Sequence, residues 1–186
     1  MTCPMQEENQ LTILIVDDNP VNCRVLVNSL EEFQEYKLLV AHNGTKAVSI
    51  AEKVLPDLIL LDINMPEMNG FEVCEHLKKN PETKDIPIIF LSALDDIDSK
   101  IKGFNVGGVD YVTKPFHREE VLKRVETQLK IRKLTESLQA RNSILLDKNN
   151  ELARLLKEIS QMQSQLQESH EQITSSINYA ERIQRA

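Results

Sequence analysis

The sequence predicts an α/β protein, with a doubly wound parallel sheet followed by one long helix. Five apolar runs of strand length alternate with amphipathic helical patterns before residue 116. Runs that are apolar on both faces are typical of parallel strands covered by helices on both sides. All 5 glycines and all 7 prolines lie at or before Pro115. The remaining residues therefore lack the two residue types that most often interrupt a helix.

The alternation predicts each element in order. The strand-like runs are LTILIV, YKLLVA, DLILLDI, IPIIFLS and DYVT. The helical patterns between them are VNCRVLVNSLEEF, TKAVSIAEKVL, GFEVCEHLKK and SKIKGFNV, and REEVLKRVETQL follows the last strand. Five such units fit a flavodoxin-like sheet with the strand order 2-1-3-4-5. The predicted parts are a disordered N-terminus (1–10), the α/β domain (11–130) and a coiled-coil helix (131–186).

The composition excludes several classes of protein. The net charge is −7 and no basic patch is present, so we expect no nucleic-acid partner. No apolar run approaches the ~18–20 residues of a membrane span, and the N-terminus lacks the features of a secretory signal. The three cysteines are odd in number and far apart, unlike a disulfide framework or a zinc site. We expect a cytoplasmic protein without membrane contact, in which Cys23 and Cys74 are small core residues.

Polar residues stand where four of the five predicted strands end. They are Asp17 and Asp18 after the first strand, Asp62 after the third, Ser92 after the fourth and Lys114 after the fifth. Strands one and three are neighbours in the predicted order, so the three carboxylates should meet at the carboxyl edge of the sheet. Clustered carboxylates repel one another unless a cation compensates them. Mg²⁺ prefers oxygen ligands of this kind, so the sequence predicts a magnesium site.

This set of residues favours phosphoryl transfer. One carboxylate can act as a nucleophile toward phosphorus, while the metal and Lys114 neutralise charge on the transferred oxygens and Ser92 donates a hydrogen bond. Taken singly, each residue has an ordinary structural explanation. Adjacent aspartates can cap a helix, Asp62 can be a turn residue, and Lys114 can be a surface lysine. The combination at four strand ends makes the site the stronger interpretation.

Four motifs carry a family resemblance: VDDN, LLDINMPEMNG, LSA and DYVTKPF. With them, residues 11–130 resemble the receiver domain of a two-component response regulator. The resemblance implies that Asp62 accepts the phosphoryl group from a histidine kinase or a phosphotransfer protein. It also implies that Mg²⁺ is bound by Asp18, Asp62 and the backbone carbonyl of Asn64, with Asp17 assisting through water.

The same resemblance assigns the remaining site residues. Lys114 contacts the phosphoryl group, Ser92 and Tyr111 are the switch residues, and the Lys114–Pro115 peptide bond is cis. The chain is then no ordinary enzyme, because the chemistry that it catalyses is confined to its own Asp62. Two other interpretations stay open. One is a phosphohydrolase with an aspartyl-phosphate intermediate, although such enzymes usually have a second acid where Asn64 stands. The other is a vestigial receiver that serves as a dimerisation scaffold.

The last part of the chain carries a seven-residue repeat. Position a holds Ile131, Leu138, Leu145, Leu152, Ile159, Leu166, Ile173 and Ala180. Position d holds Leu134, Arg141, Lys148, Leu155, Met162, Ser169, Ser176 and Ile183. Such a repeat predicts a left-handed coiled coil, and we expect a parallel homodimer of modest stability through residues 131–186. An earlier stripe is out of phase with the repeat and is predicted to pack on the sheet: Val121, Leu122, Val125 and Leu129.

The final stretch, SINYAERIQRA, resembles the segment that leads into the catalytic domain of bacterial metal-dependent serine/threonine phosphatases. This resemblance implies that the coiled coil relays phosphorylation to a phosphatase output domain absent from this chain. Diguanylate cyclase and histidine kinase outputs remain alternatives, because similar helices precede them.

Overall fold

The computed structural model describes the backbone of residues 10–93 and 97–184, and the side chains of residues 10–93 and 101–175. The chain divides into two compact units, Met1–Leu134 and Thr135–Ala186. The predicted disorder of residues 1–10 falls, apart from Gln10, outside the described residues. Among the described helices, none is long and apolar enough to cross a membrane.

The first unit contains a five-stranded parallel sheet in the order β2-β1-β3-β4-β5. Its strands are β1 (Leu11–Val16), β2 (Tyr36–Ala41), β3 (Leu58–Asp62), β4 (Ile88–Ala93) and β5 (Asp110–Lys114). The predicted fold class and strand order are confirmed. The order places β1 and β3 side by side at the centre of the sheet, which is where a doubly wound fold builds its site.

Five helices follow the strands in turn. They are α1 (Pro20–Leu30), α2 (Gly44–Val54), α3 (Gly70–Lys79), α4 (Ile97–Asn105) and α5 (Arg118–Gln184). Asparagines cap the N-termini of α1, α2 and α3. The side chains of Asn19, Asn43 and Asn69 accept hydrogen bonds from backbone N–H groups of the first turn. Asn69 also forms a reciprocal capping box with Glu72. These caps begin α1 and α2 after connections of three and two residues, whereas seven residues connect β3 to α3.

The apolar core lies on both faces of the sheet. Alternate residues of one strand point to opposite faces, so Leu14 and Val16 pack in one cluster while Ile13 and Ile15 pack in the other. The second cluster also contains Val121, Val125 and Leu129 of α5, with Leu122 at its margin. The predicted packing of this early stripe is therefore confirmed. Cys23 and Cys74 are buried free thiols, as predicted.

The second unit consists of the later part of α5. Every described side chain from 135 to 175 is exposed within the single chain. The apolar residues of position a are among them, from Leu138, 60% exposed, to Ile173, 57% exposed. The long C-terminal helix is confirmed, and its pairing as a coiled coil stays a prediction, as does the boundary at residue 130.

Candidate functional site

Three aspartates meet at the carboxyl edge of the sheet. Asp17 follows β1, Asp18 comes next, and Asp62 ends β3, and a carboxylate oxygen of each lies within 4.8 Å of the others. Asp17 and Asp62 are 0% and 3% exposed, whereas Asp18 is exposed. The structure therefore forms a small acidic group with two buried carboxylates and one on the solvent side.

Lys114 links the two buried carboxylates. Its Nζ lies 2.9 Å from Asp17 Oδ2 and 2.8 Å from Asp62 Oδ1. Burial raises the pKa of the Asp62 carboxyl, and the hydrogen bond from Lys114 opposes that rise only in part. Burial alone lowers the pKa of Lys114, but the hydrogen bonds to Asp17 and Asp62 outweigh it, and the net shift is upward. Lys114 therefore stays protonated beside a carboxylate that loses its proton less readily than usual.

The charge and donors of this group fit a divalent cation. With Asp17, Asp18 and Asp62 ionised and Lys114 protonated, the site carries a net charge of −2, which one Mg²⁺ neutralises. Two oxygen ligands of one Mg²⁺ are at most about 4.2 Å apart, since each lies about 2.1 Å from the ion. The carboxylate oxygens lie within 4.8 Å of one another, so the side chains must draw closer around the ion or reach it through a bridging water. The donor set consists of hard oxygen atoms, as this ion prefers.

The carboxylate of Asp17 is held in place by neighbours that the sequence pattern did not reveal. Asn22 Nδ2 lies 3.1 and 3.0 Å from its two oxygens, and the backbone N–H of Asn19 donates to Oδ1 at 2.9 Å. Asn22 belongs to the first turn of α1. The position of an amide one turn after a strand-end aspartate was the available clue.

The other predicted site residues surround this group at different depths. Ser92 is buried on β4, and its Oγ donates to the backbone oxygen of Ala93 at 3.3 Å. Asn64 is exposed, and its backbone hydrogen bond lowers the pKa of Asp62 against the dominant effect of burial. The Lys114–Pro115 bond is cis, as the resemblance implied. The structure places Lys114 in contact with Asp17 and Asp62 and brings Asp18 within 4.8 Å of both carboxylates, with Ser92 on the strand next to β3.

Tyr111 lies apart from the acidic group, on β5. Its ring is half-buried and makes an edge contact with Phe104, with the centroids 5.9 Å apart. The guanidinium carbon of Arg124 lies 5.4 Å from the same ring centroid. The tyrosine is therefore packed between α4 and α5 rather than beside the carboxylates.

Gly70 sets the close approach of α3 to the end of β3. A Cβ atom added to Gly70 would lie 2.2 Å from the backbone oxygen of Asp62, and the Gly70 N–H donates to the oxygen of Ile63 at 2.9 Å. The loop between β3 and α3 thus folds back onto the backbone of the central aspartate. A side chain at residue 70 would displace that backbone.

Comparison with known proteins identifies the family. Residues 13–126 match the family described as response regulator receiver domain. The chain belongs to this family. A response regulator of Chloroflexus aurantiacus superposes with a TM-score of 0.63 at 36% identity, covering 65% of this chain and 98% of that one. Chemotaxis protein CheY4 of Vibrio cholerae gives a TM-score of 0.60 at 30% identity, covering 63% and 98%. The predicted receiver domain is thereby confirmed.

Longer relatives match this receiver as well. The Vibrio cholerae protein named "Probable cyclic di-GMP phosphodiesterase" is 38% identical over 159 residues, covering 86% of this chain and 35% of its own. Response regulator PleD of Caulobacter vibrioides is 37% identical over 131 residues, covering 70% and 29%. The chain thus spans about a third of the length of these relatives. The 159-residue match is longer than the first unit, so it includes part of residues 135–186.

Proposed function

We propose that this receiver accepts a phosphoryl group on Asp62 from a histidine kinase or a phosphotransfer protein, with Mg²⁺ held by Asp17, Asp18 and Asp62. One observation carries the proposal: two buried carboxylates share the Lys114 ammonium within 4.8 Å of a third, exposed one. Membership of the receiver family supports it. Asn64, whose backbone already contacts Asp62, is the fourth proposed ligand through its carbonyl oxygen.

The chemistry follows from these contacts. An oxygen of Asp62 forms a bond to phosphorus as the bond from phosphorus to the donor nitrogen breaks, and the donor imidazole leaves. Lys114 hydrogen-bonds Asp62 before the reaction and can turn its N–H groups to a phosphoryl oxygen afterwards. Bound Mg²⁺ would supply the remaining positive charge on the transferred group. Asn22 and Asn19 hold Asp17 in a fixed orientation.

The phosphoryl group should change the surface of the receiver through Ser92 and Tyr111. Phosphorylation adds roughly −1.5 to −2 charge and three acceptor oxygens. The Ser92 hydroxyl donates a long hydrogen bond of 3.3 Å to the backbone oxygen of Ala93. A phosphoryl oxygen on Asp62, at the end of the neighbouring strand, would be a stronger acceptor for this hydroxyl. We propose that its movement allows Tyr111 to turn inward. Only the difference in stability between the two arrangements matters for this switch.

Intact mass spectrometry tests phosphorylation directly. Acetyl phosphate with Mg²⁺ should add one phosphoryl mass to the wild type and to Asp85→Asn, which removes an exposed carboxylate elsewhere on the receiver. Asp62→Asn should gain no mass, and EDTA should abolish the gain in the wild type. Equal labelling of Asp62→Asn and wild type would overturn the proposal. Turnover of p-nitrophenyl phosphate would favour the phosphohydrolase alternative, and we expect none.

We further propose that residues 131–186 pair as a parallel homodimer and relay the receiver state to an output domain. Two candidate outputs are in view. The resemblance of the last residues favours a serine/threonine phosphatase. The match to the Vibrio cholerae protein, which includes part of the long helix, favours an output acting on cyclic di-GMP. The protein isolated from its own cells, assayed with a phosphoserine peptide and with cyclic di-GMP, separates these outputs, and activity on neither would contradict both.

A further inference from the structure

The helix beyond residue 134 presents two overlapping apolar seams. Both contain the leucines that recur every seven residues, Leu138, Leu145 and Leu152. The seams differ in the residue that lies between one leucine and the next. In one seam this residue comes three positions after Leu138 and Leu145, which gives Arg141 and Lys148. In the other it comes four positions after them, which gives Asn142 and Asn149. We call these the basic layers and the asparagine layers.

The two kinds of layer behave very differently in a homodimer. In a parallel, in-register pair each core residue meets its own copy. The basic layers would bring Arg141 against Arg141 and Lys148 against Lys148, so like charges would meet in a partly dehydrated core. A side-chain amide both donates and accepts hydrogen bonds, so two facing asparagines can hydrogen-bond each other, which two like charges cannot do. A core asparagine alternating with leucine also fixes the register and favours two chains.

We propose that residues 138–152 pair in a parallel homodimer through the three leucines and the asparagine layers. This inference rests on the proposed dimer and names its contacts. Arg141 and Lys148 then flank the core, where their aliphatic stems can cover the leucines while their charges stay in water. This pairing replaces the simpler assignment, in which Arg141 and Lys148 occupy the d positions of the seam.

A second copy of this chain is the partner that fits these observations. The three leucines are 60%, 56% and 55% exposed, and Asn142 and Asn149 are exposed as well. Most helices gain their stability by packing an apolar face rather than from intrinsic propensity. A partner with an amide every seven residues pairs with both asparagines when they are buried, and an identical helix supplies that spacing. Charge agrees, since the identical partner places no charged pair in the core.

The seam changes layer type after Leu152. Three residues after Leu152 and Ile159 stand Leu155 and Met162, whereas four residues after them stand Leu156 and Gln163. The uncharged set is therefore the later one, Asn142 and Asn149, for residues 138–152, and the fully apolar set is the earlier one, Leu155 and Met162, beyond Leu152. On a helix of 3.6 residues per turn the two seams are centred about 50° apart. The adjacent pair of Leu155 and Leu156 marks where the coil passes from one seam to the other.

Disulfide cross-linking of the full chain distinguishes the two seams. Single cysteines are introduced as Arg141→Cys, Asn142→Cys, Leu145→Cys, Lys148→Cys and Asn149→Cys, each with Cys3→Ser; the native Cys23 and Cys74 are buried. The Cys3→Ser parent measures background dimer formation under glutathione disulfide. A disulfide needs Cβ atoms about 3.5–4.5 Å apart, so Asn142→Cys and Asn149→Cys should cross-link at least about fivefold faster than the variants at 141 and 148.

Leu145→Cys separates failure of the seam from failure of the dimer, because residue 145 lies in both seams. Rapid cross-linking at 145 with faster reaction at 141 and 148 than at 142 and 149 would overturn the asparagine layers and leave the dimer standing. No cross-linking at any position above the parent, with a monomeric mass by analytical ultracentrifugation, would overturn the dimer itself. As a second readout, Asn142→Leu with Asn149→Leu should change the dimer's dissociation constant or the number of chains. The double change Arg141→Leu with Lys148→Leu should leave two chains in the assembly and change the dissociation constant by no more than about twofold.

Discussion

Asp62 is placed where its ionised form is disfavoured by the fold. Burial raises its pKa, and the charge of Asp17 adds to the rise. We therefore expect Asp62→Asn to increase the free energy of unfolding without Mg²⁺, by about 1 kcal/mol as for other strained functional sites. Urea unfolding in EDTA measures this. A lower stability of Asp62→Asn than of wild type would show that the Lys114 pair outweighs burial.

The same substitution predicts a pH dependence of stability. The folded pKa of Asp62 lies above its unfolded value, so the folded state holds the proton more tightly. Acidification through that window should favour the folded wild type and leave Asp62→Asn without this gain. The stability difference between the two proteins should then shrink as the pH falls through the folded pKa of Asp62 toward its unfolded value. A difference that grows on acidification would contradict the upward shift.

Gly70 shows what the sequence could and could not reveal at the scale of a residue. The strand-end aspartates and Lys114 follow from chain order and the strand arrangement of a doubly wound sheet. The role of Gly70 depends on a 2.2 Å approach to the backbone of Asp62, which requires coordinates. Asn22 was missed although its position one turn after Asp17 was a clue, because a single amide forms no repeating pattern. Gly103 also has a packing role that depends on coordinates, since an added Cβ there would lie 2.9 Å from the Phe90 ring.

Substitution of Gly70 should therefore damage both stability and phosphorylation. Gly70→Ala forces the α3 start away from Asp62, and overpacking of this kind costs about 3 kcal/mol. The rate of labelling by acetyl phosphate should fall with it, since the Asp62 backbone must move. Thr45→Ala, at an exposed position of α2, should stay within about 0.5 kcal/mol of wild type. Wild-type stability of Gly70→Ala would show that the loop relaxes freely.

At the scale of elements, α5 has two faces with separate tasks. The out-of-phase stripe and the heptads were both visible in the sequence because periodicity is a local property. Val125 is fully buried against the sheet, whereas Leu138 is 60% exposed. The packing partners of the first stripe could be predicted from the fold. Those of the second could not, because they do not lie among the described residues of this chain.

Alanine substitutions on the two faces should affect different properties, the stability of the receiver and the stability of the dimer. Val125→Ala should lower the free energy of unfolding of the sheet by about 2 kcal/mol, without changing the mass of the assembly. Leu138→Ala should weaken the dimer and leave the sheet unchanged. Hydrogen exchange of the β3 amides reports on the sheet, and analytical ultracentrifugation reports on the dimer. Faster β3 exchange in Leu138→Ala at constant assembly would show that residue 138 supports the receiver.

At the scale of the whole molecule, the two compact units predict that receiver chemistry and assembly separate. The site residues and both core clusters lie before residue 135, and the seam lies largely after it. A chain ending at residue 134 should keep cooperative unfolding and gain one phosphoryl mass from acetyl phosphate with Mg²⁺, at a rate within about threefold of the full chain. It should sediment as a monomer, while the full chain sediments as a dimer.

The matched control is Leu145→Arg in the full chain, which places a charge in the seam and should also give a monomer. A 134-residue chain that is still dimeric would show that the interface lies on the receiver. A 134-residue chain that folds but is not phosphorylated would show that the helix beyond residue 134 takes part in the chemistry at Asp62.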